Sequence, residues 1–335
     1  MSNNFMQLPR ISIITPSFNQ GKYLEECICS VLDQNYPNLE FIIIDGGSTD
    51  NSVEIIKKYA DKLSYWVSEK DRGQSHAINK GIEHSTGEII SWLCSDDLYL
   101  PDALQQVADE FSKHPEVGLI HGKTILFGEN RKDLVKGADK RDLQLKYFSI
   151  IPYPQPSSFF RRKIITEQGP LDELFHFGMD YDLLIRIALH YPIQPVDFIL
   201  SKYRFHSESK TVKILPAFAQ DWSKVFLKFL RSVSGGSKYI DILSAIKVSD
   251  ENTSTYTHTR KFDNKELQTI FCHFLLNQLI IYYEVLNKKE CLKFLKLLYT
   301  IDIDFYNYFE LNKINFRIRY IPKTLLSRIR DLKRS

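Results

Sequence analysis

Cysteine is scarce in this chain and does not fall into pairs. Its five residues among 335, Cys27, Cys29, Cys94, Cys272 and Cys291, are odd in number and scattered. That excludes the closely spaced even set of a disulfide-stapled secreted domain and predicts free thiols in a reducing cytosol. The N-terminal stretch MSNNFMQLPR has no apolar run or small-residue cleavage site before the first strand, so no secretory leader is expected there. No window supplies the ~20 apolar residues of a membrane span. The most apolar one, FCHFLLNQLIIYYEVL at 271–286, carries His273, Asn277, Gln278 and Glu284 and predicts a core helix. The chain also lacks the G-x-G-x-x-G cradle of a dinucleotide fold. Strong net charge is missing too, at +3 from 44 basic and 41 acidic residues. The excess is confined to the tail: eight basic residues against Asp331 give +7 over 313–335 and leave −4 for the rest. These basic residues lie in a tail, without stacking motifs near the strand ends, so nucleic acid is not an expected partner.

What is present is ordinary for a folded protein, 43% hydrophobic and 25% charged, which excludes disordered and fibrous classes. The first hundred residues alternate apolar runs with helical patterns. ISIIT (11–15) precedes GKYLEECICSVLDQ, EFIIID (40–45) precedes NSVEIIKKYA, SYWVSE (64–69) precedes GQSHAINKGIEHS, and EIISWLC (88–94) precedes LPDALQQVADEFSK. Four such units with nearly continuous apolar strands predict an α/β fold, a Rossmann-like and mostly parallel sheet flanked by helices.

Ligands bind such sheets beyond the carboxyl ends of the strands. The segments there are TPSFNQG (15–21), DGGSTDNS with Asp45 first, EKDRGQS with Asp71 and Arg72, and CSDD with Asp96 and Asp97. Each has a plain structural explanation. DGGS favours a tight turn, Asp71 and Arg72 can pair at the surface, and Asp96 and Asp97 can favour the start of a helix near Pro101. Together they gather several carboxylates on one rim, and like charges at close range raise one another's pKa unless a cation holds them. Magnesium or manganese, bound by one or two carboxylates and phosphate oxygens, fits that arrangement.

Five motifs in order carry a more specific likeness: SIITPSFNQGKYLEECICSVLDQNYPNLEFIIIDGGSTDNS, SEKDRGQSHAINKGI, TGEIISWLCSDDLYLPDAL, QPSSFFRRKII and FGMDYDLLIRI. From about Ile11 to Thr211 the chain resembles the family 2 glycosyltransferases of the GT-A fold, particularly bacterial members that extend surface polysaccharides such as O-antigen. The resemblance implies a cytoplasmic, inverting enzyme dependent on Mn2+ or Mg2+. It would move a sugar from a UDP or dTDP donor to a glycan or lipid-linked acceptor. Thr15, Pro16 and Ser17 would line the nucleoside pocket, Asp45 would bond the pyrimidine, and Arg72 would meet the base or diphosphate. Asp96 would bind the metal and the nucleotide's diphosphate, with Asp97 as its partner. His206 would touch metal or phosphate, Asp180 would be the general base, and Asp182 a structural or acceptor-side partner. Two positions depart from the pattern: Cys94 stands where an Asp or Asn is usual, and Met179 where the base is often preceded by Glu. His76, His84, His121 and His176 receive no role.

Beyond residue 215 the resemblance ends. The expected division is a catalytic domain over 1–215 and a helical appendage over 216–335, with helical spacing at 215–233 and 267–301. The closing segment IPKTLLSRIRDLKRS places Leu325, Leu326, Ile329 and Leu332 among arginines. It is either a basic amphipathic helix for the inner membrane face, acting over 313–335, or a helix docked on its own protein. Two other functions stand beside the transferase: a nucleotidyltransferase, for which TPSFNQG offers only Lys22, and a non-catalytic sugar-nucleotide binder or assembly protein.

Overall fold

The computed structural model describes residues 8–129, 131–206, 215–248, 252 and 254–326. The chain opens with β1 (Ile11–Ser17), α1 (Gly21–Leu32), β2 (Leu39–Asp45), α2 (Ser52–Lys58), β3 (Tyr65–Ser68), α3 (Gln74–His84) and β4 (Ile89–Trp92). These strands lie in the order β3-β2-β1-β4, all parallel, with Ile11 beside both Leu39 and Ile89. Every residue of β1 and β4 is buried, which is why their sequences are near-continuous apolar runs rather than alternating ones. Helix α3 lies so close to the sheet that a Cβ on Gly81 would stand 2.4 Å from Ile14 Cγ2.

After β4 come the two-residue β5 (Leu98–Tyr99), α4 (Ala103–Lys113), β6 (Leu119–Gly128), β7 (Leu134–Lys136), α5 (Leu143–Lys146), β8 (Ser158–Arg161), α6 (Lys163–Gln168), α7 (Met179–His190) and β9 (Ile193–Phe205). The sheet continues as β4-β8-β6-β9-β5, with β7 on β6. Here β8 is antiparallel to both neighbours, β9 is parallel to β6, and β5 is antiparallel to β9. The parallel sheet read from the first hundred residues is thus one half of a mixed α/β sheet. The other half leaves a weak sequence signal: β9 pairs with β6 through register shifts, and its central residues are exposed.

Among the described residues follow α8 (Leu215–Ser232), α9 (Ser237–Ala245), α10 (Asn264–Glu284), α11 (Lys288–Ile301), α12 (Ile303–Tyr308) and α13 (Leu311–Tyr320), and 323–326 are helical as well. The single helical run expected over 267–301 is two helices. They break at Leu286, where φ is +53°, and Asn287 starts the second by accepting from Glu290 N. Of the expected closing helix, Leu325 is exposed and Leu326 buried, while Ile329 and Leu332 lie outside the described residues. No helix among the described residues is long and apolar enough to cross a membrane.

One face of the sheet is covered by α1 and α4, with Ile13, Leu24, Ile28, Phe41, Leu104 and Phe111 in its core. On the other face Ile14, Ile42, Trp92 and Tyr181 belong to the same apolar cluster as Phe226, Phe229, Phe271 and Phe294. The apolar core runs across the boundary expected near residue 215. A polar lock crosses it as well. Asp182, 1% exposed, accepts from Arg186 Nε at 2.9 Å, Lys228 Nζ at 3.0 Å and Tyr256 Oη at 2.7 Å. Removing one partner of such a buried set leaves the others' charge uncompensated, at a cost of about 3–5 kcal/mol. Asp182→Ala is therefore expected to lower the thermal midpoint clearly. A variant with lost turnover and an unchanged midpoint would instead place Asp182 at the acceptor.

Candidate active site

A cavity of about 430 Å³ opens where β1 and β4 end, walled by Pro16, Ser17 and Phe18 from the first and by Trp92, Cys94, Ser95, Asp96 and Asp97 from the second. Asp71, Gly73, Gln74 and Ala77 come from the start of α3. Gln155, His176, Phe177, Met179, Asp180, Tyr203 and Phe218 close it. Residues from the ends of β1 and β4 and the starts of α3 and α7 thus converge with Gln155, Tyr203 of β9 and Phe218 of α8.

Asp96 and Asp97 sit in the turn between β4 and β5, not at a helix start. Asp96 is half-buried and its Oδ2 lies 2.9 Å from His206 Nε2. Asp97 is 1% exposed; its Oδ1 accepts from Arg204 N at 2.9 Å, while its Oδ2 is buried with no hydrogen-bond partner. Burial first, and then the Asp96 charge, hold the Asp97 carboxyl well above the usual carboxylate range. Donor atoms of Cys94, Asp96 and Asp97 lie within 4.8 Å of one another. A buried, unsatisfied carboxylate oxygen beside a second carboxylate is an oxygen-rich set suited to a hard divalent cation. The thiol is the poorest ligand for such an ion, and Cys94 Sγ instead lies 3.2 Å from Gln74 Nε2.

Asp180 opens α7 on another side of the cavity. It is half-buried, and its Oδ1 accepts from Tyr181 N at 2.9 Å. Burial pushes its carboxyl up to about 6, partly opposed by backbone hydrogen bonds from Tyr181 and Asp180 itself. The preceding segment hangs from α8: Asp221 Oδ2 accepts from Phe177 N at 2.9 Å, and Trp222 Nε1 donates to Phe177 O at 3.0 Å. Met179, in the place of the expected Glu, contacts Ser75 Oγ through its sulfur at 2.8 Å.

Among the residues expected at the site, Pro16, Ser17, Asp96, Asp97 and Asp180 line one cavity, and His206 reaches it through Asp96. Thr15 is fully buried and absent from the lining. Asp45 is also absent from it: its carboxylate accepts from Gly47 N at 3.1 Å, Ser48 N at 2.9 Å, Ser48 Oγ at 2.5 Å and Ser68 Oγ at 2.7 Å. These bonds hold the turn in which Gly47 has φ of +83°. Arg72 faces a smaller adjoining cavity and is held by Glu173 in a two-pronged pair at 2.9 and 3.0 Å. Asp182 points away, into its buried lock. Sequence reasoning gave no role to Gln155, His176, Phe177 or Phe218. Asp71 carried a signal in its place at a strand end, and Gln155 and Phe177 open two of the quoted motifs.

The family model for Glycosyl transferase family 2 matches residues 12–169, and the chain belongs to that family. An uncharacterized glycosyltransferase of Mycobacterium tuberculosis is 32% identical over 186 residues, 54% of this chain and 70% of that protein. An uncharacterized glycosyltransferase of Rickettsia conorii is 33% identical over 214 residues, 61% of this chain. The match spans only 35% of that longer relative. Among solved structures, Staphylococcus aureus TarS 1–349 in complex with UDP-GlcNAc superposes with a TM-score of 0.60 at 17% identity, covering 87% of this chain and 80% of that one. The mannosyltransferase PcManGT from Pyrobaculum calidifontis, in complex with GDP-Man and Mn2+, gives 0.58 at 16%, covering 96% and 84%. The fold is GT-A, followed by C-terminal helices.

Because the folded state raises the Asp180 pKa, it favours the protonated acid. Ionising the group therefore weakens the fold progressively as pH rises from the ordinary carboxylate value of 3.8 through about 6. In metal-free protein, Asp180→Asn is expected to raise the thermal midpoint at pH 7.5 and to leave it nearly unchanged at pH 4. Equal shifts at both pH values would contradict the burial effect.

Proposed function

We propose that this chain is a metal-dependent, inverting glycosyltransferase that moves a sugar from a nucleoside-diphosphate donor to a glycan or lipid-linked acceptor in surface-polysaccharide synthesis. The observation that carries the proposal is a single cavity with Asp96 and Asp97 at the end of β4 and a separate carboxylate, Asp180, at the start of α7. Asp96, Asp97 and His206 would hold Mn2+ or Mg2+, whose charge stabilises the departing diphosphate. Pro16 and Ser17 flank the nucleoside. The Asp180 carboxylate takes the acceptor hydroxyl's proton as that oxygen attacks the anomeric carbon, and the bond to the diphosphate breaks on the opposite face. Inversion needs no covalent enzyme intermediate, and Asp180 then carries the proton to solvent. Its environment suits the task, since a base with a pKa near 6 is largely ionised at neutral pH and still proton-accepting.

The bound ligands of the two solved relatives, UDP-GlcNAc in one and GDP-Man with Mn2+ in the other, favour a sugar nucleotide without fixing its base. A uridine or thymidine donor remains our proposal. With Asp45 committed to its turn, base recognition falls to other groups at the ends of β1 and β3, Asp71 among them. A nucleotidyltransferase is disfavoured, because the cavity lining among the described residues contains no lysine or arginine to grip a triphosphate. Lys22 is exposed and pairs with Glu129 at 3.5 Å.

For the basic tail we propose a peripheral site on the inner membrane face. Phe316 and Tyr320 are 59% and 70% exposed with ring centroids 5.1 Å apart. They share a helix with Arg317 and Arg319, and aromatic and basic groups together suit an anionic interface.

Three measurements test these proposals. Asp180→Asn is expected to lower turnover by about 10²–10⁴-fold while Mn2+-dependent UDP binding persists, and wild-type kcat/KM should fall below pH 6 as the base is protonated. Wild type and variant that both bind nucleotide but never release UDP, dTDP or GDP from any sugar nucleotide would make the protein a binder. His206→Ala should weaken Mn2+ binding by about 10–100-fold in calorimetry. Vesicles rich in phosphatidylglycerol should sediment the wild type at low salt and not the F316S/Y320S variant; equal sedimentation would sink the membrane site.

A further inference from the structure

Helix α8 follows the family match, yet it furnishes part of the cavity wall. Phe218 projects from its first turns beside Phe177, with ring centroids 4.8 Å apart and planes tilted by 43°. Both rings line the same cavity as Asp180, and Phe177 precedes that residue by three positions. Neither ring belongs to the sealed core: both are half-buried. The Phe177 peptide is gripped on both sides, its N–H by Asp221 and its C=O by Trp222. Trp222 in turn packs on Tyr181 at 5.1 Å. Asp221 is itself steadied by Lys224 Nζ at 3.1 Å.

We propose that Phe177 and Phe218 form an acceptor subsite, an aromatic platform on which the pyranose ring of the acceptor stacks. The proposal rests on the assignment of Asp180 as the general base. A pyranose has one face of aliphatic C–H groups with slight positive charge, and an aromatic face is slightly negative, so the two attract while apolar surface leaves water. A platform next to the base fixes the sugar by its flat face and leaves its hydroxyl edge to the carboxylate. The donor side of the cavity is set apart by the acidic turn of β4, although Phe18 just past β1 and Trp92 of β4 also line it. Pinning Phe177 by two backbone hydrogen bonds sets the ring before the acceptor arrives, which lowers the ordering cost of binding. The platform also gives α8 a direct part in choosing the acceptor.

The test uses the full chain, the sugar nucleotide it turns over, and a panel of methyl and octyl pyranosides as acceptors. Phe218→Ala and Phe218→Leu are each expected to raise the acceptor KM by about tenfold, with UDP affinity in calorimetry unchanged. Phe218→Trp should keep the wild-type acceptor KM. The leucine variant keeps apolar bulk and removes the ring, so its loss together with tryptophan rescue separates stacking from packing. The platform is refuted if neither the alanine nor the leucine variant changes the KM of any glycoside, if UDP affinity falls in step with it, or if the wild type uses none of the glycosides. Asp180→Asn, run alongside, distinguishes the two levels. Wild-type turnover in that variant would remove the base assignment, whereas its loss combined with an unaltered Phe218→Ala KM would remove the platform alone.

Discussion

Asp97 must be held inside the protein next to a second carboxylate, and much of the chain's second half answers that electrostatic demand. Desolvation and the Asp96 charge both disfavour its ionised form. Among the described residues, its carboxylate accepts a hydrogen bond from the backbone N–H of Arg204 at the end of β9. The same arginine donates from Nε to the Asp96 carbonyl at 2.9 Å, and His206, just past β9, meets the Asp96 carboxylate. β9 can do this because it runs beside β5, which the chain forms immediately after the acidic turn. The mixed half of the sheet therefore brings positive and donating groups back to a site that the parallel half created. One oxygen, Asp97 Oδ2, is left over, and it is the atom that the proposed cation would meet.

Of the first four strands, β1, β2 and β4 were legible because burial on both faces writes a continuous apolar run into the sequence, while β3 is only half-buried. Nothing comparable marks β6, β8 or β9: β8 has four residues, and β9 is exposed through its middle. At the site, strand ends pointed to Pro16, Ser17, Asp96 and Asp97, and the structure brings all four to one cavity, since position along a parallel strand decides which end reaches the rim. Side-chain direction was harder to read. DGGS supports both a ligand contact and a turn, and in the structure four donors surround the Asp45 carboxylate. Asp180 and Asp182 are two apart on a helix and so lie on different faces. One meets the cavity and the other the buried lysine and arginine, but sequence spacing does not say which. Phe218 had no signal at all, because only the packing of α8 brings it to the rim.

Local energetics on the two sides of the site differ. The acidic turn is held by charge and hydrogen bonds to β9, and Asp180 by its first helical turn and the grip of α8 on the residues before it. Asp180 is raised by burial without a nearby acid, whereas Asp97 is raised by burial and by Asp96. Two carboxylates in one cavity are thereby given different electrostatic surroundings.

The apolar cluster that runs unbroken from Ile14 and Trp92 to Phe226 and Phe294 has a consequence for how such a chain can diversify. The C-terminal helices are not a cassette that evolution or an engineer can exchange at residue 215. A transplanted set would have to match the underside of the sheet, supply a cation for Asp182 and regrip the Phe177 peptide, all at once. Change on this side of the molecule is more accessible one side chain at a time, at exposed positions along the helices, than by recombination of whole modules.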